Sequence, residues 1–89
     1  MTLQQLEYIL AVDQHRHFTK AAEQCFVTQP TLSAMIQKLE EELDVKIFDR
    51  TRQPIAPTPI GVHILQQAKE ILVQVDNMKQ IIQEQKEEV

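Results

Sequence analysis

The stretch Thr28-Gln29-Pro30-Thr31-Leu32-Ser33 carries the most chemistry in the chain. Thr28 is a good N-cap type, and Pro30 falls in a first turn, the one place where a helix tolerates a missing amide. A helix opening there presents free backbone N–H groups, the Thr28 and Ser33 hydroxyls and the Gln29 amide together, a set suited to phosphates and base edges. Arg50 and Arg52 add charge for phosphate or a narrow minor groove, against the competing use of pairing with Asp49 or the Glu40 cluster. Other reactive residue types lead to no site. Cys25 is the single cysteine. It has no partner for a disulfide and no second thiol to resolve a sulfenic acid, so a buried structural role is expected. His15 and His17 lack a third ligand, and no metal is expected. Glu40, Glu41, Glu42 and Asp44 point in different directions around a helix and read as a solvated face rather than as catalytic carboxylates. No Ser, Cys and His arrangement supports a nucleophile, and the lone Gly61 excludes a Gly-rich phosphate loop. An enzyme is excluded on these grounds, and no cofactor is expected.

The rest of the chain must position that helix. Its 89 residues make one small domain with a thin core, and 43% hydrophobic against 25% charged residues suits a globular protein rather than a disordered tail. No apolar run is long enough for a membrane span, and Met1-Thr2-Leu3-Gln4-Gln5 lacks the features of a secretory signal, so the cytoplasm is the expected location. A net charge of -4 looks unsuited to nucleic acid. Its distribution corrects that impression. Arg16, Lys20 and Lys38 against Glu23 make residues 14–39 net +2, and Lys46, Arg50 and Arg52 against Asp49 make residues 45–57 net +2. The acids gather between these segments and in the last third of the chain.

A single glycine and few β-branched runs favour helices. Thr2 and Gln5 have capping-box spacing for a first helix with Leu3, Leu6, Ile9 and Leu10 on its buried face. Thr19 is the expected N-cap of a short second helix over Lys20–Cys25, with Phe18 as a hydrophobic staple and Ala21-Ala22 allowing a close crossing. The third helix follows after about three residues, a turn so tight that a steep helix-turn-helix crossing is required. Leu32, Ile36, Leu39 and Leu43 form its inner stripe, which turns Pro30, Thr31, Ala34, Gln37 and Lys38 outward. Residues 45–57 read as a small two-stranded wing, with Pro54 and Pro57 at its edge and exit. Thr58 and Pro59 open a last helix that runs nearly to the end. Its seam of Ala68, Ile71, Val75, Met78, Ile82 and Val89 fits alternating steps of three and four, with Gln85 polar at the remaining position, and is widened by Ile64, Leu65, Leu72 and Ile81. At about 1.5 Å per residue the helix reaches about 45 Å, beyond what the head covers, so part of the seam is expected to meet another chain. The expected architecture is mainly α: a winged helix-turn-helix head over 1–57 and a long C-terminal dimerisation helix over 58–89.

Phe18-Thr19-Lys20-Ala21-Ala22, Val27 to Ser33, and Ile36-Gln37-Lys38-Leu39-Glu40-Glu41-Glu42-Leu43 together resemble the LysR-type transcriptional regulators. The likeness continues through Ile47-Phe48-Asp49-Arg50 and Thr58-Pro59-Ile60-Gly61, and so spans nearly the whole chain. Within the family, Leu6-Glu7-Tyr8, Arg16-His17-Phe18, Cys25 and Thr28 to Ser33 look most like its peroxide-responsive branch. The resemblance implies double-stranded promoter DNA with an inverted repeat as the partner, a recognition helix over about 29–43 in the major groove and a wing over about 46–57 at the minor groove. It implies DNA contacts from Thr28, Gln29, Pro30, Thr31, Ser33, Ala34, Gln37, Lys38, Arg50 and Arg52. It also implies a homodimer held by antiparallel long helices through Ala68, Ile71, Leu72, Val75, Met78 and Ile82, a tetramer when full length, a sensor domain beyond residue 89, and RNA polymerase as a partner of the full-length protein. Ala34 and Met35 depart from the family, which commonly carries a longer polar or basic residue and Gln there; Ala34 is left a thymine methyl and Met35 a packing role. The rival from another class is a protein-interaction module in which the last helix is a coiled-coil adaptor. An RNA-binding domain is a second rival, lacking exposed stacking aromatics. Steep salt dependence of duplex binding separates these classes.

Overall fold

The computed structural model describes residues 1–87 as four helices and a two-stranded wing: α1 (Leu3–His15), α2 (Phe18–Gln24), α3 (Gln29–Leu43), β1 (Phe48–Asp49), β2 (Ala56–Pro57) and α4 (Pro59–Glu87). The expected capping box opens α1. Thr2 Oγ1 accepts the Gln5 amide at 3.1 Å, and Gln5 Oε1 accepts the Thr2 amide at 2.9 Å. Gln5 is also buried, and its Nε2 donates to Met35 O at 3.0 Å, which ties the start of α1 to the middle of α3. Leu6 and Ile9 face the core as expected and Leu10 is half-buried, whereas Leu3 is 46% exposed. Tyr8, Ala11 and Val12 fill the face instead, because α1 packs on α2, α3 and α4 at once and buries a broader arc than a single seam.

The second helix starts earlier than its threonine suggested. His17 is its N-cap, with Nδ1 accepting the Lys20 amide at 3.2 Å, and Phe18 is the first helical residue. Thr19 therefore does not cap. Ala21 and Ala22 are fully buried, which permits the close crossing of neighbouring helices. Thr28 caps α3 by accepting the Thr31 amide at 3.3 Å, with Pro30 in the first turn. Leu32, Ile36 and Leu39 are completely buried and Leu43 is half-buried.

A two-residue antiparallel ladder, Phe48 with Pro57 and Asp49 with Ala56, forms the wing. Thr58 locks its exit: the Thr58 amide donates to Ile47 O at 2.9 Å, and Thr58 Oγ1 accepts the Gly61 amide at 3.0 Å. A Cβ on Gly61 would lie 2.0 Å from Ile47 O, so only glycine lets the first turn of α4 come this close to the segment that enters the wing. Ile47, Phe48 and Ile55 from the wing, with Leu65 and Ala68 from α4, close a core begun by the first three helices. That core corrects the expected seam. Ala68 is 1% exposed within its own chain, and Leu72 packs partly against the same core, so Ala68 has no surface left for a partner. Farther along, α4 overhangs the head, giving the molecule its 54 Å long axis. Ile71, Met78 and Ile82 stay 39%, 64% and 49% exposed there. Val89, expected at the end of the seam, lies outside the described residues.

Candidate nucleic-acid interface

Burial of Leu32, Ile36 and Leu39 fixes the rotation of α3 and puts its other side in solvent. Thr28, Gln29, Pro30, Thr31, Ala34, Gln37 and Lys38 are all exposed there, and the spacing predicted this for Pro30, Thr31, Ala34, Gln37 and Lys38. Thr28 Oγ1 donates to Thr31 Oγ1 at 2.9 Å while accepting the Thr31 amide, so the cap is a rigid hydroxyl pair beside the open N–H groups of the helix start. Met35 is half-buried against the core, which leaves Ala34 as the small residue between Thr31 and Lys38 on the outer face.

The wing arginines do not behave alike. Arg50 Nη1 donates to Ser33 Oγ at 3.0 Å, its Nη2 lies 3.6 Å from Glu40 Oε1, and its guanidinium sits 4.6 Å above the Phe18 ring. Phe18 in turn meets Phe48 edge-on at 6.4 Å. Arg50 thus joins α2, α3 and the wing, and Ser33 is half-buried beneath it with its hydroxyl hydrogen free to donate. Glu40 departs from the expected solvated face: it is 3% exposed, and its Oε2 accepts the Ile47 amide at 2.8 Å. Helical phase gives the reason. Glu40 follows Leu39 and lies one turn after Ile36, so it shares their inward face, and the chain entering the wing offers an unpaired N–H there. A sequence signal existed in the Ile36–Leu39–Leu43 phase, but it was masked by the acidic run.

At the wing tip Asp49 Oδ1 accepts the Thr51 hydroxyl at 2.6 Å and the Thr51 amide at 3.0 Å, and these bonds hold the Asp49 carboxyl below its ordinary range. Arg52 beyond this turn is exposed and makes no ion pair among the described residues. His15 and His17 have structural partners, His15 Nε2 with Gln24 Oε1 and His17 Nδ1 with the Lys20 amide. Cys25 ends α2 and is half-buried; burial, then the nearby Glu7 carboxylate, push its thiol above the ordinary value.

A helix pair joined by a four-residue turn, a two-stranded wing whose Arg50 reaches α3, and a long trailing helix define a winged helix-turn-helix DNA-binding domain. Residues 3–62 match the model of the bacterial regulatory helix-turn-helix proteins of the lysR family, and the chain belongs to that family. It is 41% identical over 87 residues, 98% of its length, to the DNA-binding transcriptional dual regulator OxyR of Escherichia coli. It spans 28% of that relative's length, less than a third. Among solved structures, the DNA-binding domain of BenM in complex with benA site 1 DNA is 39% identical with a TM-score of 0.91, covering 94% of each chain. Full-length OxyR from Pseudomonas aeruginosa is 44% identical with a TM-score of 0.88, covering 93% of this chain and 28% of that one.

Proposed function

We propose that two copies of this chain bind an inverted-repeat promoter sequence, each laying α3 in a major groove and its wing beside the adjacent minor groove. The observation that carries this is the two-sided α3: its buried stripe locks the helix to the head while Gln29, Pro30, Thr31, Ala34, Gln37 and Lys38 stand free together. Gln29 reads a base edge, Ala34 meets a thymine methyl, and Thr28, Ser33, Lys38 and Arg52 meet phosphates. Arg50 shares the wing contact only so far as it leaves Glu40. Pairing of antiparallel α4 helices through Ile71, Val75, Met78 and Ile82 sets the half-site spacing. The likeness to the BenM DNA-binding domain in its complex with benA site 1 DNA supports the duplex as partner. Likeness to OxyR supports a cytoplasmic regulator of the oxidative-stress response, with a sensor domain, tetramer formation and RNA polymerase contact belonging to a longer protein.

Selection from a random duplex library at two salt concentrations tests this reading. A two-fold symmetric motif, with affinity falling steeply as salt rises, is the expected result. Arg52→Ala then weakens all sequences alike, while Gln29→Ala costs about 1–3 kcal/mol mainly on the selected motif. No enrichment at low salt by the folded chain would overturn it in favour of a protein-interaction module.

A further inference from the structure

Ser33 lies half-buried on the flank of α3, one turn after Gln29 and one turn before Gln37. Its Oγ accepts Arg50 Nη1 at 3.0 Å. A guanidinium has no lone pair to offer, so the hydroxyl hydrogen has no use on the Arg50 side. A serine inside a helix commonly spends that hydrogen on the carbonyl four residues earlier, here Gln29 O. Among the described residues Ser33 makes no such bond, and its hydrogen stays available beside the exposed Gln37. Arg50 is itself held from two further sides. Its Nη2 lies 3.6 Å from Glu40 Oε1, and its Cζ stands 4.6 Å over the centre of the Phe18 ring. Glu40 is held in turn, 3% exposed with Oε2 accepting the Ile47 amide at 2.8 Å. A continuous run of partners thus leads from Ile47 through Glu40 and Arg50 to one hydroxyl on α3.

We infer that Arg50 is a positioning residue for DNA binding: it acts through Ser33, orienting and polarising that hydroxyl for a phosphate, and does not itself touch the duplex. The inference rests on the phosphate contact proposed for Ser33 above. Two physical effects carry it. A cation on the oxygen draws electron density from the O–H bond, and a hydroxyl so polarised is a stronger donor to an anionic phosphate oxygen. Fixing the side chain beforehand also removes the rotamer freedom that a loose serine gives up on binding. Lysine does not replace arginine in this role. One planar guanidinium serves Ser33 through Nη1 and Glu40 through Nη2, whereas an ammonium on a flexible stem has no rigid fork to span the two. Facing a buried carboxylate, a lysine there stays with Glu40 and lets Ser33 go. Because Arg50 directly follows β1, the seat of the wing sets the readiness of a donor on the recognition helix.

Duplexes carrying the selected motif, each with one phosphate replaced by a neutral methylphosphonate, test the inference by equilibrium binding. The native chain should lose about tenfold in affinity at the phosphate that Ser33 grips. That phosphate is identified as the one where Ser33→Ala responds by less than about twofold. Arg50→Ala would strip Glu40 and Phe18 of a partner as well, so Arg50→Lys is the informative change. It keeps the charge, the Glu40 pairing and the urea midpoint, yet its response should vanish at the Ser33 phosphate and at no other. Combining Ser33→Ala with Arg50→Lys should bind as Ser33→Ala alone, since both remove one contact. Arg52→Ala should lose its response at a different phosphate, the pattern of a direct wing contact. If Arg50→Lys still responds at the Ser33 phosphate, or loses its response where Ser33→Ala keeps it, the inference is overturned. Equal weakening on every duplex at an unchanged set of responses overturns it too, by making Arg50 structural only. A Ser33→Ala variant that responds everywhere as the native chain does removes the Ser33 contact and the inference together, and leaves the rest of the α3 reading standing. A native chain that binds no duplex overturns both.

Discussion

Replacing Glu40 separates two roles held by one buried carboxylate. Oε2 accepts the Ile47 amide at 2.8 Å where water has no access, and Oε1 lies 3.6 Å from Arg50 Nη2. Glu40→Ala orphans the Ile47 amide, which costs about 1–3 kcal/mol for a buried donor. It also leaves a void under the wing, and residual cavity adds about 24 cal/mol per Å³. Together these come to roughly 2–4 kcal/mol, a large share of the ~5–15 kcal/mol that holds a domain together. Glu40→Gln keeps an oxygen for Ile47 and nearly the same shape, and it loses only the attraction to Arg50. Because the Arg50 side chain is 39% exposed, that attraction is screened and worth no more than about 1 kcal/mol. Urea unfolding at one fixed protein concentration reads both losses without the mass-action shift of a dimer. The alanine variant is expected to fall well below the glutamine variant at an unchanged m value. Equal losses for the two, or an alanine variant as stable as the native chain, would refute the assignment of Glu40 as the acceptor that seats the wing.

Gly61→Ala should destabilise by about 1–3 kcal/mol in the same urea assay, because the new methyl meets the Ile47 carbonyl at 2.0 Å and backbone must move to admit it. A loss below about 0.5 kcal/mol, the ordinary surface range, would show that α4 shifts freely over the wing. Asp44→Gly should do the reverse: Asp44 ends α3 at φ 55°, and glycine there gains about 0.5–1 kcal/mol, read as a higher thermal midpoint. The Cys25 thiol, pushed up by burial and Glu7, holds less thiolate at neutral pH than a free cysteine, so alkylation by iodoacetamide should be slower than that of a model thiol. Faster alkylation would reverse the assignment of Cys25 as structural.

Helix starts were legible wherever a side chain and its spacing carry the capping bond: Thr2 with Gln5, Thr28 with Pro30, Thr58 with Pro59. The α2 start was not, because a histidine caps it through a ring nitrogen, a use of His17 that its neighbours do not announce. The outward residues of α3 were legible from Leu32, Ile36 and Leu39, since two or three buried positions fix the rotation of a rigid helix. What escaped was tertiary. Ala68 fits a seam by period but is consumed by the head, and period alone cannot say which of two apolar surfaces a helical face will meet. Glu40 hid within an acidic run for a related reason: burial of a carboxylate depends on a donor supplied by Ile47, seven residues later and outside the helix.

The division between engaged and free cations bears directly on how an acidic chain can hold DNA. Arg16 is held by Asp13 at 3.1 Å, and Arg50 by Ser33, Glu40 and the Phe18 ring. Lys20, Lys38, Lys46 and Arg52 remain on the head, exposed and without an ion pair among the described residues. In the proposed dimer two heads would bring about eight cations to a duplex, and at about 0.9 per phosphate the slope of log K against log salt should be no steeper than about -7. Glu40→Gln releases Arg50 from its only acidic partner among the described residues, adding up to one phosphate contact per head, and the slope should steepen toward about -9. Arg50→Ala in that background should return it to the native value. A native slope already at -9 or beyond would mean that Arg50 leaves Glu40 on binding, and that the internal pair is a resting arrangement rather than the one DNA meets. If the slope stays the same in Glu40→Gln and in Arg50→Ala alike, Arg50 is bound to Ser33 and Phe18 throughout. The wing then touches phosphate through Arg52 and Lys46 alone.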